Sequence, residues 1–230
     1  CRSDAEITLY RPPVRNVFNL VPAGRANRTT KDPALRLVAL GTVEPRKNFV
    51  AAAKILAALR ERGFEGATLD IVGRRGWGDD WRILETCPGV ILHGYQPAER
   101  VNQILQDADA FICTSHEEGL GLPLIEAQYA GLPIIAPDDA IFREVLDQSG
   151  IFINSIDPAS SASRIAEALS ASEWRDSFVA RGTQNLTRWN ALAASDRNAV
   201  INLVAQIARQ RTPMTPVPAQ LGRDDRSITF

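Results

Sequence analysis

The sequence predicts an α/β fold built on one doubly wound parallel sheet. From Leu35 onward, short apolar runs alternate with amphipathic stretches, the pattern of repeated strand–helix–strand units. Glycines follow the runs at Gly41, Gly73 and Gly94 and in the Gly119 loop, so they share the carboxyl edge where such sheets bind ligands. The segment from Ser115 to Ala127 then carries a glycine loop between Glu118 and Glu126 and runs into a helix.

Each element follows from its local pattern. Arg36 to Gly41 reads as a buried strand, and Asn48 to Arg62 as a helix with Phe49, Ala52, Leu56 and Leu59 on one face. Asn48 suits the N-cap. Strands follow at Leu69–Gly73, Val90–Gly94, Ala110–Thr114, Pro133–Ala136 and Ile151–Ile153. Helices are predicted over Trp77–Thr86, Pro97–Ala108, Leu124–Ala130, Phe142–Gln148, Ala159–Ser170 and Glu173–Arg181. Residues 1–34 are rich in proline and arginine and read as a connector, with one strand at Val17–Val21. The domain then spans 35–190, a separate last helix 191–211, and a loose tail 212–230.

Composition narrows the function. The chain has 230 residues, 45% of them hydrophobic, and a formal net charge of −1, which makes no case for nucleic-acid binding. The early basic cluster Arg25, Arg28, Lys31 and Arg36 reads as solvated. Cys1, Cys87 and Cys113 are an odd number without metal-ligand spacing, and the only histidines are His93 and His116. A disulfide framework and a histidine metal cage are both disfavoured, and a reducing cytoplasm fits. No signal peptide or membrane-length apolar run is visible. The start at Cys1 rather than Met reads as a fragment.

The candidate site gathers at the strand ends. Pro123 fits the first turn of its helix, where its missing N–H has no intrahelical partner. The free N–H groups of Gly119, Leu120, Gly121 and Leu122 can face an anion. Glu126 should lie in the first turn and Glu118 at the loop mouth, so the site offers donors for phosphate and acceptors for sugar hydroxyls. Arg46 and Lys47 add two cations beside a helix N-terminus, which suits a diphosphate. Arg74 and Arg75 add two more on a glycine turn, and Gly94-Tyr95 can approach a base. The plain alternatives are surface cations, a first-turn acid that only complements the helix dipole, and a satisfied strand histidine at His93.

The order Gly41-x-x-Glu44-Pro45-Arg46-Lys47-Asn48, Gly94-Tyr95, Glu118-Gly-Leu-Gly-Leu-Pro-Leu-Ile-Glu126 and Gly131-Leu-Pro133 resembles the group 1 (family 4) retaining glycosyltransferases. The resemblance covers about residues 35–190, including Arg181-Gly182 and Trp189. It implies the Rossmann-like, donor-binding C-terminal half of the GT-B architecture, and an enzyme that transfers a hexose from a nucleotide sugar with retention. Glu118 would meet the donor sugar, Glu126 the ribose, and Arg46 and Lys47 the diphosphate leaving group. Gly41, Thr42, Arg74, Gly94 and Tyr95 would complete the donor site. Thr42 stands where some members carry arginine, which shifts the phosphate role to Arg46 or Arg74.

No metal or other cofactor is implied. The acceptor, a glycan or lipid, would be held by an N-terminal domain that residues 1–34 cannot build, and the full-length protein would associate peripherally with a membrane. Gly76-Trp77-Gly78 resembles bacterial mannosyltransferases, which suggests GDP-mannose. Two alternatives stand beside this: a non-catalytic nucleotide-sugar-binding module, and an epimerase or phosphorylase on the same architecture. An apolar surface should be exposed near the last helix, and both glutamates should be substantially exposed without ligand.

Overall fold

A computed structural model describes residues 8–16 and 34–210. Six strands form one parallel sheet: β1 (Arg36–Leu40), β2 (Thr68–Val72), β3 (Val90–Gly94), β4 (Ala110–Ile112), β5 (Ile134–Pro137) and β6 (Gly150–Ile153). Their order is β3-β2-β1-β4-β5-β6, with every neighbouring pair parallel. This is the doubly wound, Rossmann-like sheet that the alternation predicts. Its direction of winding reverses between β1 and β4, and a crevice opens at such a switch point.

Helices cover both faces. The helices are α1 (Phe49–Glu61), α2 (Asp80–Glu85), α3 (Ala98–Asp107), α4 (Leu122–Tyr129), α5 (Ala140–Leu146), α6 (Pro158–Ala168) and α7 (Trp174–Gln210). One core lies under α1, α2 and α6, with Leu37, Ile55, Leu56 and Ile71 buried. The other lies under α3, α4 and α5, with Val38, Phe111, Ile134 and Phe142 buried. Leu37 and Val38 are neighbours in β1 yet serve opposite cores, as strand alternation requires. Each fully buried Leu or Ile contributes about 1.5–3 kcal/mol.

The helix ends refine the expected boundaries. Asp139 accepts a hydrogen bond from Ala140 N at 2.6 Å, and Asp157 accepts one from Ser160 N at 3.0 Å, so α5 and α6 begin earlier than apolar periodicity alone suggests. The helix read over Trp77–Thr86 begins only at Asp80.

Two helices were expected in this region, one over Glu173–Arg181 and a separate one over 191–211. The structure has a single helix, α7. Gly182 does not break it: a Cβ there would sit 2.9 Å from Gln128 Cγ, so the absent side chain lets α7 lie close on α4. Trp174 and Phe178 pack on the first core and Trp189 on the second. Beyond that, Ile201, Val204 and Ile207 are exposed. This is the apolar surface expected near the last helix. No helix among the described residues is long and apolar enough to cross a membrane.

The described part of the connector, residues 8–16, has no regular structure but is tied to α7. Trp189 Nε1 donates to Pro12 O at 2.9 Å, Val14 N donates to Asn190 Oδ1 at 3.0 Å, and Arg11 pairs with Asp196 at 2.9 Å and Glu144 at 2.7 Å. The strand expected at 17–21 lies outside the described residues. Trp189→Phe keeps most of the ring but leaves the Pro12 carbonyl unpaired, so it should cost about 1–2 kcal/mol. Trp189→Ala should cost about 3–5 kcal/mol. Urea unfolding of the three proteins measures both.

Candidate active site

The loops after β1 and β4 meet at the switch point. After β1 the chain makes a short 3-10 turn, Pro45–Lys47, before α1. Asn48 ends that turn in the left-handed conformation, with φ 51°. It does not cap α1 through its side chain, contrary to the sequence expectation. Its carbonyl matters instead: Thr114 Oγ1, just past β4, donates to Asn48 O at 2.8 Å. His116 N donates to Arg46 O at 2.9 Å, and Arg46 donates to Glu117 O at 2.8 Å. These bonds join the two loops into one unit.

That unit brings three of the expected residues together. Lys47 Nζ lies 2.7 Å from Glu118 Oε1, and an Arg46 guanidinium nitrogen lies 3.6 Å from Glu118 Oε2. Arg46 also pairs with Glu44 at 3.0 Å. Ser115 Oγ donates to Glu118 Oε1 at 2.7 Å. Lys47 is 8% exposed and the Glu118 side chain 11% exposed, so this pair is largely screened from water. Glu118 was expected to be substantially exposed. It is not, because Lys47 and Ser115 hold it against the loop.

Around this pair the strand ends approach closely. Gly41 N donates to Val72 O and Val43 N to Arg74 O, so the loops after β1 and β2 also run together. At Gly73 a Cβ would sit 1.8 Å from Gly41 O, so only glycine fits. The Thr42 methyl faces the Gly76 turn. Arg74 lies with its guanidinium carbon 5.0 Å from the centre of the exposed Tyr95 ring, a cation–π arrangement. Gly94 lies at the end of edge strand β3. His93 Nε2 lies 2.6 Å from Asp70 Oδ1, the satisfied strand histidine of the plain alternative.

Past Glu118, Gly119 and Leu120 are exposed, and Gly121 is left-handed, with φ 59°, at the N-cap of α4. Leu122 opens α4 and Pro123 follows in its first turn. Glu126 is the fifth residue of α4, so it stands beyond the first turn that the sequence suggested. It is half-buried. Burial pushes its carboxyl above the ordinary range, and the charge of Arg15, in the connector, pulls it partly back.

Sequence reasoning gave no role to Thr114, Ser115 or Arg15. The first two carry a signal, hydroxyls directly between a strand and the loop. Arg15 carries none, because the connector has no period. Among the described residues no cluster of His, Cys, Asp and Glu is placed to hold a metal ion.

The Glu126 environment has a measurable consequence. A carboxyl raised in the folded state stabilises the fold fully below its unfolded pKa and loses that contribution as pH rises through its folded pKa. At neutral pH the ionised carboxylate therefore works against folding. Glu126→Gln should raise the melting temperature at neutral pH, and the gain should vanish as pH falls to about 4. Calorimetric melts of both proteins across that range test the sign.

Comparisons with known proteins identify the family. Residues 24–185 match the family model of glycosyl transferases group 1. The chain is 32% identical over 148 residues to O-antigen chain mannosyltransferase B of Escherichia coli, covering 62% of this chain and 39% of that protein. It is 30% identical over 230 residues to a glycogen synthase of Mycobacterium tuberculosis, covering 93% of this chain and 52% of that protein. The chain thus spans about two-fifths to half of these relatives. Among solved structures, S. aureus TarM in complex with Fondaparinux, α-GlcNAc-glycerol and UDP superposes with a TM-score of 0.65 at 19% identity, over 80% of this chain and 38% of that one. The family match covers well over half of the sequence, and the chain belongs to the group 1 glycosyl transferases.

Proposed function

We propose that this chain is the donor-binding half of a retaining, family 4 glycosyltransferase that transfers a hexose from a nucleotide sugar to a glycan or lipid. The observation that carries this is the cluster of Lys47, Arg46 and Glu118 at the switch point between β1 and β4. Two cations and a carboxylate there suit a ligand with a diphosphate at one end and hydroxyls at the other.

In this reading Lys47 and Arg46 receive the diphosphate. Negative charge builds on the leaving phosphate as the glycosidic bond breaks, and fixed cations stabilise it without reorganising. Their two charges take the part that a divalent ion plays in other enzymes, so no bound metal is invoked. Glu118 accepts from the sugar hydroxyls, and Glu126 from the paired ribose hydroxyls. Backbone N–H groups from Gly119 to Leu122 face the sugar and phosphate. Gly41, Thr42 and Arg74 border the diphosphate, while Gly94 and Tyr95 flank the base.

The acceptor belongs to a second domain of the whole protein, and the exposed end of α7 would face it. The E. coli relative's name favours a mannose donor and a role in polysaccharide biosynthesis.

The test is a melting and titration series with UDP-, GDP- and ADP-sugars and the free diphosphates. One nucleotide series should raise Tm, because a ligand that binds only the folded state stabilises it. Glu126→Ala should weaken free nucleotide and donor alike, by about ten- to a hundredfold, since a hydrogen bond to a charged group is at stake. A chain whose melting no nucleotide shifts would overturn the proposal.

A further inference from the structure

We propose that Glu118 and the diphosphate of the donor compete for one ammonium, that of Lys47, and that Ser115 is the positioning residue that keeps Glu118 aimed when Lys47 is given up. The inference rests on the nucleotide-sugar reading above and concerns how that site tells a donor from a bare diphosphate.

The geometry is specific. Lys47 Nζ and Ser115 Oγ both reach Glu118 Oε1, each at 2.7 Å, while Arg46 stands 3.6 Å from Oε2. Ser115 is 3% exposed and is itself backed by the Cys113 thiol, whose Sγ donates to Ser115 Oγ at 3.5 Å. The space beside the pair is small and largely apolar, walled also by Leu40, Phe49, Phe111, Ile112 and Leu124. A buried ammonium without a counter-charge is costly. In the empty site Glu118 supplies that charge.

A diphosphate entering beside Lys47 brings a stronger counter-charge to the same ammonium. The ammonium has three N–H donors, but in this exchange the diphosphate draws it away from Glu118, and the cost of breaking the Lys47–Glu118 bond is subtracted from the affinity. The released carboxylate still holds the Ser115 hydroxyl and faces Arg46, so it stays in place with acceptor capacity to spare. A sugar hydroxyl can take the position that the ammonium left. The loss is therefore repaid only when the ligand carries a sugar. Once the sugar has been transferred, Glu118 loses that hydroxyl and reclaims Lys47, which favours departure of the diphosphate. Such a device supplies specificity by penalising the wrong ligand rather than by adding contacts to the right one.

Calorimetric titration of the chain separates these effects, with pyrophosphate, UDP, GDP and ADP and the matching nucleotide sugars as probes. Glu118→Gln, close in shape but uncharged, should bind pyrophosphate and the cognate diphosphate about tenfold tighter than the wild type and lose its preference for the sugar-bearing donor. Ser115→Ala should keep diphosphate affinity within about twofold, yet lose most of that preference, and Ser115→Thr should restore it. Equal or weaker diphosphate binding by a folded Glu118→Gln overturns the competition. If Glu118→Gln fails to fold, Glu118→Asp, which keeps the charge but withdraws it from Lys47, must give a smaller gain in the same direction. An unchanged sugar preference in Ser115→Ala overturns the positioning role. A pyrophosphate gain in Glu118→Gln without binding of any nucleotide would keep the exchange and remove the functional reading instead.

Discussion

The carboxyl edge of this sheet depends on one contact, the joining of the loop after β1 to the loop after β4. Those strands are neighbours in space but far apart in sequence, with β2, β3 and three helices between them. Thr114 bonding to the Asn48 carbonyl and His116 bonding to the Arg46 carbonyl fix the two loops to each other. Without them the Lys47–Glu118 pair would join two independently moving turns, and ordering both ends would consume most of what the pair gains. With them, the long side chains start from fixed backbones, and Lys47 can be largely buried.

The framework was readable from the residues because each strand and helix announces itself locally. Apolar runs located all six strands, four of them ahead of a glycine turn or loop, and strand–helix alternation required a parallel sheet. The errors have local causes as well. Periodicity places a helix where its buried face begins, so it passed over Asp139 and Asp157, whose carboxylates cap the helix ends before any core residue. A glycine inside a helical pattern normally weakens it. At Gly182 the close approach to Gln128 on α4 outweighs that cost, and one long helix replaces two short ones.

The meeting of Arg46, Lys47 and Glu118 at one sheet edge was legible in the spacing, but its wiring was not. Sequence spacing brought out Glu118, Glu126, Arg46 and Lys47, yet it could not show that Glu118 is already bonded to Lys47. That pairing spans 71 positions in the chain and arises only from the strand order. The same holds for Arg15, whose influence on Glu126 depends on how the connector is held along α7 by Arg11, Pro12 and Val14. Contacts of that kind have no period and no local spacing, so only the fold reveals them.

The two glutamates, on one loop and the helix that follows it, stand in opposite surroundings. Glu118 has its charge compensated by Lys47 and Arg46 and accepts a hydrogen bond from Ser115. Glu126, eight residues on, is half-buried on a helix, where burial disfavours its charge and Arg15 offsets only part of that. A carboxylate held ionised against desolvation is a liability to the fold, since the folded state would be more stable with a neutral group there. It is also a stronger acceptor for hydroxyl groups than a neutral side chain. Local disagreements between stability and side-chain choice are expected where a ligand, rather than the fold, has determined the residue. Lys47 is a similar case: its ammonium lies in a position only 8% exposed, and Glu118, 2.7 Å away, supplies the counter-charge that makes this tolerable.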